Sequence, residues 1–329
     1  MNRSSAVYFA LVSVLASTLT AQTLITEFNN STFTGLGDGI STQDESDFTF
    51  TNQVTQLNSF VAGGELYAVS GTADQSFVRR NNVNANQSSV WYSNDGSSLN
   101  AEHGATIDGL MLGNTFQAGS DNTFVNGSSA PQGNIERMDF VFSGGLTATI
   151  DQAFAVMDRG GATVHDRFQI ALITGWNDAT SQVTAYSDVS GQGNLWGTVN
   201  PNGDFSYDIF RYNTGNDSSD SNANLGSSGQ GIGGVIFGID DFNVTAGTQI
   251  FGYSLFGFDV AWGGNTNNLI DWTNSSFYPT NTNDNDGGID LAAINGVSFS
   301  VVPEPSTWAL SGFAAIALGL FGRRRRRVV

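Results

Sequence analysis

Met138-Asp-Phe-Val-Phe142, Phe168-Gln-Ile-Ala-Leu-Ile173 and Ile250-Phe-Gly-Tyr-Ser-Leu-Phe256 decide the fold class of this chain. In each, apolar side chains recur at every second position or run together over six or seven residues, as in strands buried on one face or both. Phe48-Thr-Phe50, Leu146-Thr-Ala-Thr-Ile150, Tyr207-Asp-Ile-Phe210, Val235-Ile-Phe-Gly-Ile239 and Val297-Ser-Phe-Ser-Val301 extend the pattern along the chain. Clusters of Gly, Asn, Asp and Ser punctuate these segments, and the 40 glycines suit tight turns. Few windows carry the i, i+3, i+4 spacing of an amphipathic helix. The expectation is an all-β, jelly-roll-like sandwich with long Asn/Asp/Gly-rich loops. Two such loops are Gln117–Asn134 and Asn213–Gly231, each long for a compact domain. No fixed-period repeat suggests a propeller or solenoid.

Composition supports a folded body. Hydrophobic residues make up 40% of 329, Phe contributes 24, and only 13% are charged, unlike a disordered chain. There is no Cys, so disulfides, thiolate metal sites and a Cys nucleophile are excluded. Formal net charge is −18, there is no Lys, and six of the twelve arginines lie at Arg3 and Arg323–Arg327. The body therefore lacks the basic footprint that phosphate neutralisation requires, and nucleic acid is excluded as a partner.

The two ends read as targeting segments. Residues 1–21 have Arg3, an apolar run from Ala6 to Ala16 and a small-polar stretch to Ala21, the anatomy of a secretory signal peptide passed to a translocon. About eleven apolar residues fall short of the roughly 20 needed to span a bilayer. At the other end, Val302-Pro-Glu-Pro-Ser-Thr307 precedes the apolar run Trp308–Gly322, then Arg323, Arg324, Arg325, Arg326 and Arg327. Pro303 and Pro305 on either side of Glu304 favour an extended, protease-accessible strand. The arginines would hold the cytoplasmic face. As a helix the apolar run is about 22 Å long against a hydrocarbon core of about 30 Å, a weak transmembrane stop suited to removal. We therefore divide the chain into a leader (1–21), one all-β extracellular domain (22–301) and a sorting tail (302–329).

This tail resembles the PEP-CTERM sorting signal of Gram-negative bacteria, over about 26 residues from Val302 to Arg327. The resemblance implies a substrate of an exosortase-type membrane protease, which cuts near Pro303-Glu304-Pro305. The body is then released or passed to the cell surface, commonly alongside exopolysaccharide. The tail is silent about the activity of the body.

Within the body, Asp284, Asp286 and Asp290 lie in Asn281-Thr-Asn-Asp-Asn-Asp-Gly-Gly-Ile-Asp290. They read either as oxygen ligands for calcium or as solvated turns, and the loop fails the EF-hand register. Met157-Asp-Arg-Gly-Gly-Ala-Thr-Val-His-Asp-Arg167 brings His165 near Asp158 and Asp166. No nucleophile motif accompanies them and His103 stands apart, so Asp158–Arg159 and Asp166–Arg167 read as strand-end ion pairs. Trp91, Trp196, Trp262 and Trp272 would either fill the core or present flat faces to sugar rings. Three functions follow in order: a structural or adhesive surface protein without enzymatic activity, a carbohydrate-binding module, and a secreted glycoside hydrolase.

Overall fold

The strand at the centre of one sheet begins three residues before Met138, and its neighbours follow from which of its faces are apolar. The computed structural model describes residues 23–34, 53–81, 99–103, 108, 111–114, 116, 135–160, 167–193, 210–211, 223–224, 231–279 and 296–303. In chain order its strands are β1 (Thr23–Thr34), β2 (Gln53–Ala62), β3 (Glu65–Thr72), β4 (Gln75–Asn81), β5 (Leu99–His103), β6 (Ile135–Thr147) and β7 (Gln152–Gly160). They continue with β8 (Phe168–Asn177), β9 (Gln182–Gln192), β10 (Phe210–Arg211), β11 (Ala223–Asn224), β12 (Gly231–Gly238), β13 (Gln249–Gly257) and β14 (Val297–Val301).

Two six-stranded antiparallel sheets hold most of these strands. One runs β5-β4-β6-β13-β8-β9. The other runs β1-β12-β7-β14-β3-β2 and closes into a barrel, because β1 pairs with β12 at Thr23 and Leu24 and with β2 from Ile25 onward. Closure removes the free edges of that sheet. The chain passes repeatedly between the sheets, and the expected all-β sandwich is what forms.

Alternation along the strands sorts the core into three layers. On β7, Ala153, Ala155 and Met157 face the inside of the closed sheet with Phe60, Ile232 and Phe299. Phe154 and Val156, one residue out of phase, face the other sheet, where they meet Phe140, Phe168 and Tyr253. Ring centroids of Phe154 and Tyr253 lie 5.2 Å apart, those of Phe168 and Phe237 5.8 Å. Each buried aromatic of this kind contributes roughly 1.5–3 kcal/mol. The third layer covers the outer face of the β5–β9 sheet. Val141, Ala171, Ile173 and Phe256 project there and meet Val260, Leu269 and Tyr278 of the segment after β13.

One glycine holds two strands together. Gly252 sits at φ +122°, and a Cβ built there would lie 1.9 Å from the carbonyl oxygen of Phe140. The pairing of β13 with β6 shifts register at this point, so the close approach is a bulge contact that no side chain fits.

Some expected elements differ. Leu146 and Thr147 end β6, and Ala148–Asp151 form a turn into β7, so the alternation does not continue to Ile150 as strand. Asn213–Gly231 reads as loop in the sequence, yet Ala223–Asn224 pair with Phe210–Arg211 and Gly231 opens β12. Phe48–Phe50 and Gln117–Asn134 lie outside the described residues. So does the apolar run Trp308–Gly322, and among the described residues no helix is long and apolar enough to cross a membrane.

Candidate functional site

Among the described residues, two places gather polar groups: the layer beneath residues 258–279, and the point where β14 leaves the sheet.

The first begins with a bulge. Arg80 pairs with Ile135 but Arg79 pairs with Arg137, so Glu136 is an extra residue in β6. Ile135 and Met138 both join the core between the sheets. Glu136 and Arg137 are thereby displaced together from that core, a re-aiming typical of bulges. Asp139, two residues on, is fully buried between two arginines. Arg79 Nε lies 2.8 Å from its Oδ2 and Arg137 Nε 2.8 Å from its Oδ1, and Ser254 Oγ donates to Oδ1 at 2.7 Å. Although burial opposes ionisation, both guanidinium groups and the Ser254 hydroxyl hold the Asp139 carboxyl below its ordinary range.

The same arginines anchor the covering segment. Arg137 Nη1 donates to the carbonyls of Leu269 and Ile270, both at 2.9 Å, and Tyr278 Oη donates to Leu269 at 2.7 Å. Arg79 Nη2 donates to the Ser181 carbonyl at 3.2 Å, and its guanidinium lies 5.2 Å from the Phe77 ring and 5.9 Å from that of Trp272. Gln169 grips the turn after β13: its Nε2 donates to the carbonyls of Gly257, Phe258 and Val260 at 3.2, 3.1 and 2.9 Å. Its Oε1 accepts from Trp262 Nε1 at 2.9 Å.

Two carboxylates in this layer stand apart from the network. Glu136 is fully buried, and neither of its oxygens has a hydrogen-bond partner. Both oxygens of Asp259, in the turn held by Gln169, are buried too and meet no partner beyond that residue's own backbone N–H. Burial, with the charge of Asp259 adding to it, pushes Glu136 up to about 9, and burial pushes Asp259 up to about 6. Such a pair can hold a proton or a cation.

At the second place, β14 lies between β3 and β7 and runs straight into the Pro-Glu-Pro segment. Val301 N–H donates to the Asp151 carbonyl at 3.1 Å and Val302 N–H to that of Leu66 at 2.7 Å. These bonds carry the sheet to its last residue. Val302 and Pro303 are exposed immediately beyond.

Among protein families, a model described as the PEP-CTERM protein-sorting motif matches residues 301–327. Residues 301–327 are a PEP-CTERM sorting motif. It marks an exported protein recognised by an exosortase, a membrane protease, with C-terminal anchoring in the membrane before cleavage. No curated protein and no solved structure matches the chain.

Of the PEP-CTERM motif, Pro303 is described and exposed; Glu304, Pro305 and Arg323–Arg327 lie outside the described residues. Asp284, Asp286 and Asp290 lie outside them as well, as do His165, Asp166, Trp91 and Trp196. Asp158 is buried on β7, and Arg167 lies over the Phe258 ring at 4.4 Å. Trp262 and Trp272 are half-buried in the outer layer, neither in the core between the sheets nor fully exposed. Among the described residues no group of three or more His, Cys, Asp or Glu gathers as a metal cluster. Reading the sequence did not single out Arg79, Glu136, Arg137, Asp139 or Asp259. The available signal was the scarcity of basic residues: with no Lys, an Arg placed inside an alternating strand pattern has a structural reason to be there.

Proposed function

We propose that this chain is an exported body delivered by its tail to the cell surface or extracellular matrix, where it has a structural or adhesive role and catalyses no reaction. The observation that carries the reading is the junction at Val301–Pro303: β14 is fixed on both sides, and the Pro-Glu-Pro segment starts where the hydrogen bonding stops. Cleavage near Pro303-Glu304-Pro305 leaves β14 in its sheet and the body intact. Before cleavage, the five steps from Pro303 to Trp308 reach at most about 18 Å, so the body is held close to the membrane outside the translocon. A body that acts by contact, in a matrix with polysaccharide, needs no cleft. Replacing Pro303, Glu304 and Pro305 together by Ala tests the reading. The variant should stay in the membrane fraction with its tail, while the parent reaches the surface or medium.

Carbohydrate binding is a second reading, favoured by one observation. Trp176, Trp262, Trp272 and Phe277 all pack in the outer layer and are each half-buried. Such rings can stack on sugars. A glycan array with and without chelator tests it: binding that Trp272→Ala abolishes supports a lectin-like role, and no binding to any glycan supports the structural one.

A further inference from the structure

We propose that Glu136 and Asp259 are the carboxylate ligands of a buried site for one calcium ion, located where the bulge of β6 meets the turn after β13. All four carboxylate oxygens are buried; neither oxygen of Glu136 has a hydrogen-bond partner, and those of Asp259 meet no group beyond that residue's own backbone N–H. Unpaired carboxylates are too costly to bury without a proton, a cation or an ion pair.

The two arginines of the buried network are engaged with other groups. Arg137 divides its guanidinium between Asp139 and the Leu269 and Ile270 carbonyls; Arg79 divides its own between Asp139 and Ser181. One proton neutralises only one of the two carboxylates, whereas one divalent ion balances both. The ligands are hard oxygens, which suit calcium, and calcium takes its remaining ligands from backbone carbonyls and water. Both carboxylates are also held in place before any ion arrives. Glu136 is set by a register shift in the middle of a sheet, and Asp259 by a turn closed by Val260 N–H to Gly257 and gripped by Gln169 through three carbonyls.

Bound calcium would tie the 258–279 segment to β6 beside the Arg137 anchor. This site is separate from the Asp284, Asp286 and Asp290 loop, and it does not depend on how the tail is processed.

The test uses the full-length chain in detergent, stripped of metal and titrated with calcium chloride by calorimetry and thermal unfolding. One calcium per chain is expected, with a rise in Tm of about 5 °C at ~100-fold excess over Kd. Near neutral pH binding should release close to one proton, seen as a dependence of the heat on buffer ionisation. Glu136→Gln and Asp259→Asn should each weaken binding at least about tenfold. The combined Asp284→Asn, Asp286→Asn and Asp290→Asn variant should bind as the parent does. Should Glu136→Gln fail to fold, Asp259→Asn carries the comparison. Three results would each overturn the proposal: no calcium-dependent shift in the parent, binding unchanged in Asp259→Asn, or binding lost only in the triple loop variant.

Discussion

Asp139→Asn tests the outer layer most severely. The substitution keeps shape and removes one charge from a fully buried group that lies 2.8 Å from Arg79 Nε and 2.8 Å from Arg137 Nε and accepts from Ser254 at 2.7 Å. Two guanidinium groups then share no anion, and Arg137 is itself fully buried. Breaking a buried pair by removing one partner costs about 3–5 kcal/mol, against a total stability of roughly 5–15 kcal/mol. Two arginines depend on this carboxylate, so the upper half of that range is expected. Urea unfolding should show a lower midpoint at unchanged slope. Because Arg137 also holds the Leu269 and Ile270 carbonyls, hydrogen exchange should rise first in residues 258–279. Replacing Arg79, Arg137 and Asp139 together by Met, Leu and Leu should cost less than Asp139→Asn alone, since no unpaired charge remains. A loss below about 1 kcal/mol in Asp139→Asn would show instead that water reaches the arginines and that the pair is not a buried one.

Other outcomes follow from the same structure. Asp139 is held below the ordinary aspartate value, so its stabilisation is complete above that value and is lost as pH falls through the folded one; acid unfolding of the parent should steepen there. Glu136 has the opposite sign. With calcium chelated, its contribution is complete below the ordinary glutamate value and is lost as pH rises toward about 9, so stability should fall on alkalinisation and Glu136→Gln should flatten the profile. Gly252→Ala would place a Cβ against the Phe140 carbonyl at a φ that L residues rarely adopt, and should cost at least about 3 kcal/mol or prevent soluble expression. Tyr253→Phe removes the acceptor of the Gly296 N–H, a 2.8 Å bond in the core, and should lower stability by about 1–3 kcal/mol in the same urea assay.

The inter-sheet core was legible because alternation reports which side of a strand is apolar. Met138, Phe140 and Phe142 on β6 point one way in both the pattern and the structure. The same alternation misleads about the other face. Arg137 and Asp139 occupy the positions that a two-layer sandwich gives to solvent, yet both are fully buried. What covers them is a segment that follows β13, more than a hundred residues later, and no local pattern announces such a cover. Closure of the β1–β3 sheet was hidden for a similar reason. It depends on Thr23 and Leu24 reaching Ile236 and Val235, a pairing set by long-range register. Glu136 and Asp259 could not be matched from sequence, because a one-residue bulge decides which way Glu136 points. The tail is the reverse case. Its Pro-Glu-Pro segment, apolar run and arginine cluster lie in order along the chain, so its role could be read without a fold.

We propose above that a folded body is delivered by a tail that is then removed at the exit of β14. Intact-mass analysis of the protein recovered from the cell surface or medium tests it most directly. The C-terminus should lie within a few residues of Pro303-Glu304-Pro305, with Trp308–Gly322 and Arg323–Arg327 absent and β14 retained. Surface material that still carries the five arginines would contradict it.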